Sequence, residues 1–125
     1  MRYLGIDYGA KRIGVALSDQ GGRIAFPKKV ISNKGRKTLH SVAMFCDKEK
    51  VNAIVLGQSL DYKGKANPIQ VAIANWKSKI ENLTGLPVHY QSEILTSALA
   101  KRSTAKANID SSAAALILQA YLDKL

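Results

Sequence analysis

Leu4–Asp19, LGIDYGAKRIGVALSD, is the stretch whose reading decides the fold. Residues Tyr3–Ile6 are apolar or glycine and read as a buried strand. Lys11–Ser18 alternates in part, with Ile13, Val15 and Leu17 in phase, and reads as a second strand. Asp19-Gln20-Gly21-Gly22 is a turn, and Arg23–Ile31 returns as a third strand. Proline has no N–H for a ladder, so Pro27 predicts an edge or a bulge. Strands joined by such short turns pair antiparallel.

Beyond this meander the hydrophobic period changes. Leu39, Val42, Ala43 and Cys46 fall at the spacing of one helix face. Val51–Gly57 is short and nearly all apolar, as expected of an interior parallel strand. Asn67-Pro68 is a helix start, followed on one face by Ile69, Ala72, Ile73, Trp76, Ile80 and Leu83. Gly85 fits a C-terminal cap, and Pro87 forbids continuation. Pro87–Gln91 is a fifth strand, Thr96–Thr104 a short helix and Ala105–Ile109 a loop. Asp110 can cap a last helix that packs through Ala113, Ala114, Leu116, Ile117, Ala120 and Tyr121.

The order βββαβαβαα predicts an α/β fold, a five-stranded mixed sheet in spatial order 3-2-1-4-5 with helices on both faces. Right-handed crossovers place the fourth and fifth strands beside the first, which becomes central. The 125 residues fit one domain, 1–125, with enough chain for a core without disulfides. No repeat, linker or low-complexity segment interrupts it.

Composition narrows the function classes. Nineteen Lys and Arg against nine Asp and Glu give a net charge of +10, a field that attracts polyanions. Nucleic acid is the first partner this suggests, and an acidic membrane surface the second. With 46% hydrophobic residues, disorder is excluded. The lone Cys46 cannot form an internal disulfide and suits a reducing compartment. No signal peptide or membrane span is visible, so the expected location is the cytoplasm. The oligomeric state stays open, a homodimer included.

Asp7 stands at the carboxyl end of the central strand, where a charge is costly unless paired or bound to a cation. Glu93 follows the fifth strand, and Asp110 starts a helix that can lie across the same edge. Ligands of open sheets gather outside the carboxyl ends of parallel strands. Convergent carboxylates supply the hard oxygen ligands that Mg2+ or Mn2+ requires, and a bridging one can hold two ions. Each acid also has a plainer role. Asp7 can serve a turn or pair with Lys11 or Arg12, Glu93 can be solvated, and Asp110 can simply be a cap. Lys11, Arg12, Lys101, Arg102 and Lys106 are candidate phosphate contacts, with Lys63, Lys65, Ser59, Thr96 and Ser97 as weaker ones. His40 and His89 have no metal-ligand spacing; His89 is expected to face out of its strand and Trp76 to be core.

Four segments carry a resemblance across essentially the whole chain: Leu4–Asp19; Ile54–Leu60, IVLGQSL; Gly85–Thr96; and Asp110–Asp123, DSSAAALILQAYLD. They resemble the YqgF family, described both as Holliday junction resolvases and as nucleases processing pre-16S ribosomal RNA. The resemblance implies a ribonuclease H-like fold and metal-dependent phosphodiester hydrolysis. It also implies that the family's acids fall at Asp7, Glu93 and Asp110 as metal-holding, catalytic residues. Two segments depart from the pattern. The family has Asp-Glu-Arg before Leu-Thr where this chain has Ser92-Glu93-Ile94, and Gly-Leu-Pro where it has Gly57-Gln58-Ser59. An arginine there could stabilise phosphate charge; Ile94 cannot.

The expected function is therefore a nuclease acting on structured nucleic acid, in rRNA processing or on four-way DNA junctions. A non-catalytic RNA-binding module with the same fold is a second class. A phosphate-binding domain of the actin and sugar-kinase type is a third, though such sites form between two domains.

Overall fold

The computed structural model describes residues 1–58, 68–92 and 109–125, with the backbone alone for 109–112. Its strands are β1 (Tyr3–Tyr8), β2 (Arg12–Ser18), β3 (Ala25–Ser32), β4 (Ala53–Gln58) and β5 (Val88–Ser92). Its helices are α1 (Arg36–Lys48), α2 (Pro68–Thr84) and α3 (Ile109–Leu122). The sheet order is β3-β2-β1-β4-β5, with β1 central, as the strand pattern predicts. β1 pairs antiparallel with β2 and parallel with β4.

Alternation along β1 divides the core in two. Leu4 and Ile6 face one side, with Ile13, Val15, Leu17, Ile54, Leu56 and Val88, and are covered by Val42, Cys46, Ile73, Trp76 and Ile80 of α1 and α2. Tyr3, Ala16, Ala53 and Val55 face the other side and are covered by Ala114, Ile117, Leu118 and Leu122 of α3. Small residues on that face let α3 approach closely. A Cβ on Gly5 would lie 2.7 Å from Leu118 Cβ and 2.9 Å from the Ala114 carbonyl oxygen. The Tyr3 and Tyr121 ring centroids are 6.0 Å apart, so α3 runs antiparallel to β1. Gln119 ties the far end of α3 to the third strand's approach, accepting from Ala25 N and donating to the Arg23 carbonyl, both at 2.9 Å.

Local chemistry explains the boundaries. Thr38 Oγ1 accepts from Lys34 N and donates to the Ser32 carbonyl, which fixes the turn from β3 into α1. Gly85, at φ 72°, ends α2, and its N–H reaches the Glu81 carbonyl at 2.8 Å. Pro27 is on an edge strand and beside an irregularity: Val15 pairs with Lys29 but Ala16 with Pro27. Asp19 closes the β2–β3 turn, accepting from Arg23 N and Ile24 N at 2.8 and 3.0 Å.

Several expectations need correction. β1 runs on to Tyr8, because its ladder with β2 continues through the Tyr8–Ile13 pair; Lys11 precedes β2, which starts at Arg12. β3 starts at Ala25, since the Asp19 carboxylate takes the N–H groups of Arg23 and Ile24. Leu83 is 42% exposed in the last turn of α2, because it borders the open hollows between α1 and α2. On α3, Leu118 and Leu122 are buried, whereas Ala113, Leu116 and Ala120 are half-buried, because the helix faces β1 along 114, 118 and 122. Ile109 belongs to α3, not to a loop. The expected helix over Thr96–Thr104 and the Asn67 cap lie outside the described residues.

Candidate active site

Asp7 is half-buried, on the penultimate position of β1. Tyr3, Gly5 and Asp7 share the α3 face, because strand side chains alternate. Asp7 pairs with Gly14 on β2. On its other side, one step beyond the Ile6–Leu56 pair, β4 places Gly57. Asp7 thus projects between two glycines, which place no Cβ directly opposite it on either neighbouring strand. A 180 Å³ hollow lined by Asp7, Gly9, Lys11, Arg12 and Gly14 opens there. Gly9 is required by the tight hairpin: a Cβ would stand 2.6 Å from the Arg12 carbonyl oxygen. Asn33 braces the same hairpin, its Nδ2 donating to the Gly9 carbonyl at 2.9 Å and its N–H to the Lys11 carbonyl at 2.8 Å.

The α3 backbone brings Asp110 to this end. Ala114 lies over Gly5, and Asp110 is four residues earlier, about 6 Å along a helix. Asp7 is two residues beyond Gly5, about 6.6 Å along a strand. Because α3 and β1 are antiparallel, these two displacements have the same direction, and Asp110 is roughly level with Asp7. Glu93 follows Ser92, the last residue of β5, and lies outside the described residues, as do Lys101, Arg102 and Lys106. Lys11 and Arg12 are exposed beside Asp7. Among the described residues, no three His, Cys, Asp or Glu side chains form a metal-binding group. His89 does face out of β5, where it stacks on Tyr121 with centroids 5.5 Å apart. Trp76 is core, as expected.

Two features escape the sequence pattern. Gln91 pairs with Gly57 and so shares the Asp7 row; it is 5% exposed, and its buried Oε1 accepts no hydrogen bond among the described residues. An alternating strand would suggest a polar outer residue there, and the tertiary structure buries it. The second is a run from Gln20 to Cys46 with Arg23, Lys28, Lys29, Lys34, Arg36 and Lys37 and no acid. Lys28 and Lys29 of this run are on β3, and Arg36 and Lys37 open α1. That run was legible in the sequence as a charge block.

A mixed sheet in this order, with an acid ending its central strand, defines the ribonuclease H-like class. Solved structures agree on the fold. Thermus thermophilus RuvC in complex with a Holliday junction substrate superposes with a TM-score of 0.66 at 16% identity, over 99% of this chain and 95% of that one. The fowlpox virus Holliday junction resolvase gives 0.59 at 13% identity, over the whole of both chains (100% and 100%). The ROK hexokinase from Thermus thermophilus gives 0.52 at 22% identity, over 82% of this chain and 38% of the hexokinase.

The chain belongs to the RuvX family, described as Holliday junction resolvase, whose model matches residues 1–124. That is a family of nucleases, and so of hydrolases. Relatives named "Putative pre-16S rRNA nuclease" include one from Oenococcus oeni, 38% identical over 99% of this chain and 95% of the relative. Others come from Clostridium kluyveri, 35% identical over 100% and 98%, and from Nitratidesulfovibrio vulgaris, 34% identical over 98% and 94%.

Proposed function

We propose that residues 1–125 form one metal-dependent nuclease domain that hydrolyses phosphodiester bonds in structured RNA, the precursor of 16S ribosomal RNA, in the cytoplasm. The observation that carries this is the antiparallel crossing of α3 over Gly5, which brings the Asp110 turn level with Asp7 at the carboxyl edge of the sheet. The names of the relatives, matched over nearly their whole length, support the substrate. No helix among the described residues is long and apolar enough to cross a membrane.

The donor set suits a hard dication. Asp7, Glu93 and Asp110 would hold Mg2+ or Mn2+, one ion or two, through carboxylate oxygens. When bound, such an ion activates water and neutralises charge on the phosphate. The chain's own contribution is placement. The glycines beside Asp7 leave room for a phosphodiester, and Lys11 and Arg12 stand where they can pair with its oxygens. Lys101, Arg102 and Lys106 extend that basic border in this reading.

The test is a cleavage panel of pre-16S RNA, four-way DNA junction, duplex and single strand, each with Mg2+, Mn2+ or chelator. Metal-dependent cutting of the RNA precursor is expected, lost in Glu93→Gln and Asp110→Asn. The family description favours a second reading, a resolvase, for which the junction would be cut in preference. Binding without cleavage of any substrate, under either metal, would establish a non-catalytic RNA-binding module instead, consistent with Ser92 and Ile94 beside Glu93.

A further inference from the structure

Asp7 and Tyr8 are consecutive, so their side chains leave opposite faces of the sheet at the same edge. On the Tyr8 side, a 660 Å³ cleft opens between α1 and α2. That volume is typical of small-ligand sites. Half-buried Tyr8 supplies the aromatic floor and the buried Trp76 backs it, ring centroids 5.9 Å apart and planes tilted by 50°. Asn75, Asn82, Arg36 and Lys79 are exposed around it, and no Asp or Glu is among its described lining residues. The buried Trp76 Nε1 has no acceptor among the described residues.

Each part of this set has a matching part in one ligand. An aromatic floor takes the face of an unstacked base. Carboxamides offer a donor and an acceptor together, as the edge of a base requires. Guanidinium and ammonium groups take a phosphate. An acidic peptide would use the cations but leave the paired rings and the asparagines without a purpose. A fully paired duplex has no base to offer. We propose that the cleft binds one unpaired nucleotide, its base against Tyr8, which Trp76 backs from the core, and its phosphate on Arg36 and Lys79.

The source of that nucleotide is the substrate itself, which rests on the nuclease reading above. A strand with a phosphate at Asp7 has only to round the β1–β2 hairpin to reach the cleft. Asn33, which braces that hairpin, also lines the cleft. The arrangement would select nucleic acid with an unpaired nucleotide close to the cut.

Trp76 is the chain's sole tryptophan, so its emission reports the cleft directly. The experiment is run in chelator, where nothing is cut, with three probes: a single-stranded RNA oligonucleotide, a blunt RNA duplex, and a free nucleoside monophosphate. Overall binding of the two RNAs is followed in parallel by anisotropy of a label. The single strand should change Trp76 emission saturably, while the duplex binds in anisotropy without doing so. The charge-neutral pair Asn75→Ala and Asn82→Ala, at exposed positions, should weaken the single-strand response about tenfold, as expected when one or two hydrogen bonds to the base are removed. Duplex affinity and melting temperature should not move. Unchanged Trp76 emission with intact anisotropy overturns the cleft assignment alone, as does an equal response to the duplex. Saturation by the free monophosphate at the oligonucleotide's affinity overturns the substrate-strand source. Absence of RNA binding in anisotropy overturns the proposal and the nucleic-acid reading of the chain with it.

Discussion

Gly5→Ala tests the contact on which the site depends. The added Cβ would stand 2.7 Å from Leu118 Cβ, about 0.8 Å short of an ordinary carbon–carbon contact. It would also stand 2.9 Å from the Ala114 carbonyl oxygen. Both obstacles belong to the helix backbone or its first side-chain atom, so no rotamer change relieves them and α3 itself has to move. Overpacking of this kind costs about 1–3 kcal/mol. Replacing glycine by alanine also narrows the unfolded ensemble, which offsets about 0.4–1 kcal/mol. The net loss is about 1–2 kcal/mol. With an unfolding entropy of about 2.1 cal/mol/K per residue, the chain should melt about 4–8 °C lower. Activity should fall further than stability. A displacement near 1 Å between reacting groups can cost about 100-fold in rate, and α3 carries Asp110. The assay is a thermal melt beside a cleavage time course at a temperature where the variant is fully folded. Leu118→Ala in the same chain should not rescue it, since alanine keeps the offending Cβ. A variant that melts and cuts like the wild type would refute the close crossing and the placement of Asp110 with it.

Asp7→Asn keeps the shape but removes the charge, so cleavage should vanish. The rise in melting temperature that Mg2+ gives the wild type through linkage should shrink; wild-type cutting by this variant would make Asp7 structural. The Asp19 carboxyl is held below the ordinary value of 3.8, first by the Ile24 N–H and then by that of Arg23. Its folded form thus prefers the carboxylate, and the stability it adds is present above that ordinary value and lost as pH falls through the lower folded one. The melting-temperature gap between wild type and Asp19→Ala should therefore be open at neutral pH and close below about pH 3.8; a gap that persists in strong acid would contradict the carboxylate's role. Burial pushes the Cys46 thiol up to about 12, so a thiol reagent at pH 8 should label it at the rate of unfolding, and immediate labelling of the native protein would contradict its burial. Replacing Lys101, Arg102 and Lys106 by Ala should flatten the log–log salt dependence of duplex DNA binding by up to about 0.9 for each phosphate no longer neutralised. An unchanged slope would put the binding face elsewhere, with the cations at 23–37 the next to test.

Strand order and core composition are legible in the sequence, because they follow from periodicity and connection length. The alternation of Ile13, Val15 and Leu17 sets one buried face of β2, and two helix-bracketed apolar strands can join β1 only through right-handed crossovers. Asp7 stands out for the same reason: a charge ending an otherwise apolar strand is costly in any fold. The sequence could not supply distances between segments remote along the chain. Gly5 reads there as one more small residue in a strand. Only the crossing of α3, more than a hundred residues later, turns it into the contact that brings Asp110 level with Asp7. Gln91 likewise reads as the solvent side of a strand, yet tertiary packing buries it. The cleft beside Tyr8 needed α1 and α2 to be set side by side, and the spacing of Asn75, Lys79 and Asn82 alone describes an ordinary solvated helix face. Periodicity is a local property, written within each segment. Which face meets which, and how closely, is decided by side-chain volumes packed across the whole sheet.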